Sequence, residues 1–449
     1  MFYHNTRHSF PLPKGSPKDV AGGIIAASAM PQPNLVRRAF AKAPYLKRRL
    51  LDPQLYLATL DKDNASNNVT KLGTYPWFRC AVESYKSGKA GGLPKWHADQ
   101  SEALLKSWPG KVATDPAEIA TCASSCVQLQ EELECEAIIL PAPMTRQPGG
   151  AYASEAAWID AGIAAASERR SAKQLFATVA ISDSALRELD PLKNPLLQAI
   201  SAQIGSRDRL AGAYIVIAQD SEDPDSWVCR NPDTLLSLLV LVDDLVRGAG
   251  KEVFIGGVGT FGAVAAAAGA RIWSTGYYRS QRRLRTSDFD DTNGRTVPRY
   301  FSLKLLSDIG VEHDLALLAK DPRTNGKGGD SVFTDTPITK ELNRVLLGGG
   351  APGDVPEWTY ALGRPTAAMA HYNHCMQRIS TALDLLEPEA RLERMQLALT
   401  RAEKVAERVG EVVTARDRPD KQRTKHTDFG SQKIWRATFE TWLNARRDD

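Results

Sequence analysis

Seven short apolar segments, separated by stretches with helical spacing, constrain this chain more than any other feature of its sequence. They fall at residues 23–28, 55–60, 137–141, 175–181, 212–218, 253–256 and 271–275. Helical spacing of apolar residues fills 116–134, 154–173, 195–204 and 232–247, and an Ala-rich segment covers 262–269. Strand-length runs alternating with helices of this length predict βα units and a parallel sheet. The runs are continuously apolar rather than alternating, as expected of strands covered on both faces. An eighth strand is expected near residues 69–75 or 297–301. Seven or eight such units over about 280 residues predict an α/β fold, a TIM-type (β/α)8 barrel, in preference to an open doubly wound sheet. The absence of a Gly-x-Gly-x-x-Gly motif at the first helix points the same way.

Beyond Arg279 the pattern changes. Residues 280–298 are polar, 320–336 contain Asn325-Gly-Lys-Gly-Gly329, and 347–355 contain three consecutive glycines. These read as flexible surface loops. From about 366 to 416 the spacing is helical again, and Trp435, Phe439 and Trp442 recur as on the docked face of a last helix. The chain thus divides into a barrel with loop insertions over residues 1–310 and a helical C-terminal subdomain with its tail over 311–449.

A chain of 449 residues, 43% of them hydrophobic, can bury a full core without metal or disulfide staples. Its 57 Lys and Arg against 53 Asp and Glu give +4, too small a surplus to require a nucleic-acid partner, so a local basic cluster carries more weight than the total. The six cysteines (Cys80, Cys122, Cys126, Cys135, Cys229 and Cys375) include no Cys-x-x-Cys pair and suggest a reduced, cytoplasmic protein. No run approaches the length of a membrane span, and residues 1–20 are polar and Pro-rich, so neither a membrane partner nor an export signal is expected. The Ala and Arg usage suggests a bacterial source.

Three groups of residues could carry chemistry. In the first, Phe254-Ile-Gly-Gly-Val-Gly-Thr-Phe-Gly262, a strand ends in glycines and a helix begins at once. Gly256, Gly257, Gly259 and Thr260 could hold a phosphate on free backbone N–H groups, or simply make a tight turn. In the second, Arg279-Ser-Gln-Arg-Arg-Leu-Arg285 follows Tyr277 and Tyr278 just past the next strand. Arg279, Arg282 and Arg283 offer forks that match phosphates, and the tyrosines a stacking surface, unless the arginines pair with Asp288, Asp290 or Asp291. If the barrel closes, the two groups share one anion-binding hollow at its rim. In the third, His371, His374 and Cys375 fall on one helical face without a fourth ligand nearby, so helix packing is expected rather than a metal site. Among acids at strand ends, Asp61 and Asp220 are the candidate catalytic carboxylates, while Asp183 suits a helix N-cap.

The segment from Val253 to Arg282 resembles the late barrel of the tRNA-guanine transglycosylases. Gly257-Val-Gly-Thr260 matches that family's strand end, and Arg279 the arginine of its Pro-Thr-Arg turn. The helical stretch around His371–Cys375 is similar to the family's C-terminal helices. The resemblance implies a barrel in which Phe254 and Ile272 lie on strands seven and eight, with one earlier strand still to be found. It implies base exchange on a nucleic acid. The family's nucleophilic aspartate falls on Trp273, however, and its Asp-Ser-Gly-Gly-Phe-Gln and Cys-x-Cys-x-x-Cys motifs are absent, so that chemistry would need another acid such as Asp220.

The leading expectation is therefore a transglycosylase-like barrel that binds nucleotide or nucleic acid and acts on a base N-glycosidic bond. Two alternatives stay open: a metabolic barrel enzyme holding a phosphate ester or flavin phosphate on the glycine turn, and a non-catalytic barrel subunit with a protein partner or a second copy of itself. No cofactor is specified by the sequence.

Overall fold

Eight strands pair edge to edge, all parallel, and curl into a nearly closed ring. In chain order they are β1 (Phe2–Thr6), β2 (Gly22–Ala26), β3 (Arg48–Asp52), β4 (Ala137–Leu140), β6 (Gln174–Ser182), β7 (Leu210–Ala218), β8 (Glu252–Gly256) and β9 (Ile272–Thr275); the two-residue β5 (Met144–Thr145) runs beside β6. Their order is β3-β2-β1-β9-β8-β7-β6-β4. The remaining gap is spanned where the Glu136 N–H donates to the Arg49 carbonyl at 2.9 Å. With helices following the strands, this is the (β/α)8 barrel. The computed structural model describes residues 1–6, 12, 14–30, 33–46, 48–80, 98–148, 152–187, 189–222, 226–291, 298–326, 331–359, 365–414 and 427–448.

Local chemistry starts the outer helices where the periodicity places them. Three open on an Asx-Pro pair. Asp115 accepts from the N–H groups of Ala117 and Glu118 ahead of helix Pro116–Glu132, Asn194 from that of Leu196 ahead of Pro195–Gly205, and Asn231 from that of Thr234 ahead of Pro232–Asp243. The side-chain oxygen satisfies an orphan helix donor, while proline in the first turn sacrifices an N–H that had no partner. Between β7 and β8, Gly212 is obligatory, because a Cβ there would lie 1.7 Å from the Glu252 carbonyl oxygen.

The barrel interior is aromatic and polar. Phe254 stacks its ring 5.8 Å from Tyr3 and 4.8 Å from Tyr214. At the N-terminal end, Tyr3 donates to Glu136 (2.9 Å), which also pairs with Arg48 (3.3 Å). Toward the C-terminal end, Tyr214 on β7 donates to Asp52 on β3 at 2.9 Å, a reach that must cross the inside of the ring.

The C-terminal region is helical and shares the barrel's continuous set of buried side chains, which runs from Phe2 to Leu443. An antiparallel hairpin, β10 (Arg299–Ser302) with β11 (Ser307–Gly310), leads into helices Thr366–Asp384, Pro388–Thr414 and Ser431–Asp448. The last helix docks through Trp435, Phe439 and Trp442, all buried; Trp435 donates to the Cys229 carbonyl (2.9 Å) and meets Phe261 edge-on.

Five details differ from the sequence reading. The strand expected at residues 55–60 lies earlier, as β3, and Leu55–Leu57 forms a 3-10 turn; Pro53 ends the strand and exposes the more hydrophobic run as the decoy. The missing early strand is β1, whose Tyr3-His4-Asn5 core reads as polar although Tyr3 and His4 are buried. Residues 66–72 are a helix, Ser66–Leu72, not an eighth strand. The strand expected at 297–301 exists as β10, but pairs outside the ring. The stretch after Arg279 is not a loose loop: a short helix, Arg279–Arg282, and a 3-10 turn, Thr286–Phe289, hold it to the barrel. Parts of the expected loops, residues 292–297 and 327–330, lie outside the described residues.

Candidate functional site at the barrel rim

The C-terminal ends of β6, β7, β8 and β9 gather most of the residues singled out from sequence into one sector. β6 runs into Asp183, which is fully buried. Asp183 accepts from the amide (3.1 Å) and hydroxyl (2.9 Å) of Ser221, just past the end of β7, and pairs with Arg187 at 3.3 Å. Burial pushes its carboxyl above the usual carboxylate range; the Ser221 hydrogen bonds and Arg187 pull it back, and Asp220 pushes it up again. A helix does begin at Asp183, but its carboxylate holds Ser221 rather than capping the helix N–H groups.

Asp220 is half-buried. Its Oδ1 accepts from the Thr286 amide (2.7 Å) and hydroxyl (2.8 Å), while no hydrogen bond of a described residue reaches Oδ2. Asp61 is exposed; it accepts from the Asp63 amide (3.0 Å) and the Asn64 side chain (2.8 Å), closing its own loop. A single strap, residues 286–291, joins the two acids. Thr286 is held by Asp220; at the other end Asp291 takes the Ser66 hydroxyl (2.5 Å) and the Asn67 amide and donates its N–H to the Asn64 carbonyl, and burial, followed by the charges of Asp291 and Asp61, raises the Asp290 carboxyl. The strap therefore spans the open end from the β7 side to the loop beyond β3.

The glycine turn and the arginine segment do meet. Gly257 and Gly259 take the left-handed conformation (φ 71° and 57°). A Cβ on Gly257 would touch Leu284 (3.2 Å), and one on Gly259 the Arg282 carbonyl (3.3 Å). Leu284 donates its N–H to Gly257 and accepts one from Gln219, whose side chain also donates to Gly257. The open side of the turn is thus taken by residues 282–284. Gly256 faces the Tyr214 hydroxyl, 2.7 Å from where its Cβ would be, and Thr260 is buried.

The arginines turn inward. Arg282 ion-pairs with Asp308, donates to the carbonyls of Gly276 and Tyr277, and lies 4.2 Å over the Tyr372 ring. Arg283 and Arg279 both pair with Asp288, at 3.1 and 3.0 Å. The Tyr277 hydroxyl is buried and accepts the Arg299 amide (2.9 Å). The rim is basic in composition, and its arginines reach carboxylates inside the chain two to an acid: Arg279 and Arg283 share Asp288, and Arg282 and Arg299 share Asp308. Trp273, on which the sequence comparison placed the nucleophile position, packs against Phe2 and beneath Gly262 of the preceding helix, Phe261–Ala267.

One buried group escaped the sequence reading. Asp52, the last residue of β3, accepts from Tyr56 (2.6 Å) and Tyr214 (2.9 Å) on one oxygen and from the Gln54 amide (3.1 Å) on the other. Burial raises its pKa to about 6 against the lowering effect of these donors. An acid immediately before proline at the end of Arg48-Arg49-Leu50-Leu51 was the available signal.

The His371, His374 and Cys375 group does not converge. His371 is buried between the Phe301 carbonyl and Thr336, and burial lowers its pKa to about 3, while His374 turns to the Gly15 carbonyl. Among the described residues no group of His, Cys, Asp and Glu is arranged to hold a metal, and no helix is long and apolar enough to cross a membrane. All six cysteines are free thiols. No family model matches the chain and no curated protein matches its sequence, so its place rests on the barrel and on this rim.

Proposed function

We propose that the barrel binds a nucleotide or nucleic acid at its C-terminal rim and acts on a base N-glycosidic bond, as the resemblance to tRNA-guanine transglycosylases implies. The observation that carries this reading is Asp220. Thr286 fixes one carboxylate oxygen with two hydrogen bonds and leaves the other without a hydrogen bond from a described residue, just past the end of β7, where barrel enzymes place their catalytic groups. Asp220 would support the positive charge that develops at the sugar carbon as the base leaves, or attack that carbon directly. In hydrolysis a water oxygen bonds to the sugar carbon, the carbon–nitrogen bond breaks, and the departing base takes up a proton. Asp183, one strand away, accepts from the Ser221 amide and hydroxyl and so fixes the backbone beside Asp220. The test is release of free base from tRNA and from nucleosides, with Asp220→Asn compared against wild type at matched folding. Release abolished by Asp220→Asn is the expected result; wild type without release ends the catalytic reading.

A specific observation favours a second reading, a non-catalytic barrel subunit. The rim arginines are paired within the chain and residues 282–284 cover the glycine turn, so the rim is largely satisfied without a ligand. Size-exclusion chromatography with co-expressed neighbouring gene products tests it: a stable complex, with binding of labelled tRNA that is absent or flat against salt, supports the subunit over the enzyme. For the phosphate-ester and flavin-phosphate alternative, residues 282–284 already occupy one side of the turn.

A further inference from the structure

Beyond the Asp220 site, helices Thr366–Asp384 and Pro388–Thr414 and the β10–β11 turn enclose a two-part cleft that the proposed function leaves unused. The outer part measures about 690 Å³, within the range of small-molecule sites. Lys304, Arg378, Arg394 and Arg401 line it against a single carboxylate, Asp335. Arg378 donates to the Asp335 carbonyl at 2.8 Å, which sets its guanidinium across the cleft. No carboxylate of a described residue forms an ion pair with Lys304, Arg378 or Arg394. The cleft therefore keeps a local positive field, unlike the rim, where the arginines find partners.

The inner part, about 250 Å³, shares Arg378 and Arg394 with the outer one and is walled by Val264, Leu306, Ile379, Leu383 and Met395, with Trp435 at its floor. Apart from those two arginines, Thr260 is its one polar lining residue. Such walls reward aliphatic carbon and offer almost nothing to the hydrogen-bonding edge of a nucleobase, whose polar atoms would be buried without partners. Leu397, 67% exposed, continues the apolar surface from the outer part toward solvent.

We infer that this cleft binds an amphiphilic organic anion: a phosphate or carboxylate head held by Lys304, Arg378 and Arg394, and an aliphatic body inserted along Ile379, Leu383 and Met395. Guanidinium forks suit either head group. The cleft borders the glycine turn through Thr260 but shares no residue with the Asp220–Thr286 pair, so its failure and that of the glycosidic reading are separately visible.

The experiment is calorimetric titration of the full chain with octyl phosphate, inorganic phosphate and adenosine monophosphate. Counting only binding that R378Q/R394Q weakens, octyl phosphate should bind at least tenfold more tightly than either of the others, and more weakly as salt is raised. The double variant R378Q/R394Q should lose tenfold or more. Ala382→Trp, an exposed position at the inner pocket, should bring octyl phosphate down to the level of inorganic phosphate. Unchanged thermal unfolding of both variants, and unchanged behaviour in the Asp220 assay, would assign the losses to the cleft. Octyl phosphate binding no tighter than inorganic phosphate, tighter binding of adenosine monophosphate that R378Q/R394Q abolishes, or an octyl phosphate affinity indifferent to both variants would overturn the inference.

Discussion

Asp52 makes a sharp test of the barrel interior. It is closed from solvent between β3 and β7, and its carboxyl titrates at about 6 in the folded protein against 3.8 for a free side chain. A raised acid pKa means that the folded state holds its proton where the unfolded chain has released it. Stability contributed at this position is therefore present at low pH and is lost as pH rises from about 4 to about 6, levelling off above that. The shift of roughly two pK units corresponds to about 3 kcal/mol. Buried His371 and His4, with pKa values lowered to about 3 and about 4, act oppositely: the unfolded chain protonates first, so their contribution falls as the medium is acidified below about 6.5. A single pH profile mixes these effects, and the difference between wild type and Asp52→Asn isolates the carboxylate. Asparagine keeps an acceptor for the two tyrosines but presents N–H to the Gln54 amide, so it should start destabilised by about 1–3 kcal/mol at pH 4. It should then gain about 3 kcal/mol on wild type by pH 7. Urea denaturation of both proteins at unit pH intervals measures this. Curves that stay parallel within about 0.5 kcal/mol across that range would refute the assignment of a buried, charge-bearing Asp52.

Three further outcomes follow from the geometry. Gly212→Ala should cost about 3 kcal/mol or more, because its Cβ would overlap the Glu252 carbonyl, whereas Gly353→Ala, with open space around it, should be near neutral; thermal unfolding of the pair checks this. Asp308→Asn removes the carboxylate facing buried Arg282 and should cost about 3–5 kcal/mol in urea, with no compensating loss from the exposed Arg323→Gln control. Native protein at pH 8 should show almost no rapidly reacting thiol with a disulfide reagent, since five cysteines are buried and burial pushes the Cys80 thiol up to about 11; six should react after denaturation.

The barrel was readable because parallel strands sheathed on both faces need continuous apolar runs, and β4, β6, β7, β8 and β9 supply them. β1 and β3 were hidden for the same physical reason in reverse. Their interior-facing residues, Tyr3 and Asp52, form hydrogen bonds inside the ring, and a polar residue with a buried partner looks in sequence like one in solvent. The rim was legible in position but not in charge state. That Gly257 and Arg282 would be neighbours follows from the order of the strands. That Arg282 would turn to Asp308, some 26 residues further on, depends on where the β10–β11 hairpin folds back, which local spacing does not encode. The cleft between the two long helices was invisible because its walls come from segments as far apart in sequence as Thr260 and Trp435.

The pairing of Phe2 with Trp273 also sets a schedule. A ribosome delivers β1 ahead of its second neighbour by roughly 270 residues, so over that interval one margin of β1 has no mate. At 5–20 residues per second that interval lasts on the order of tens of seconds. Throughout it, the nascent half-cylinder presents a bare hydrogen-bonding border that any other extended peptide could occupy. Helper proteins that shield such borders, or slow elongation past β9, should therefore govern how much of this protein reaches its finished form.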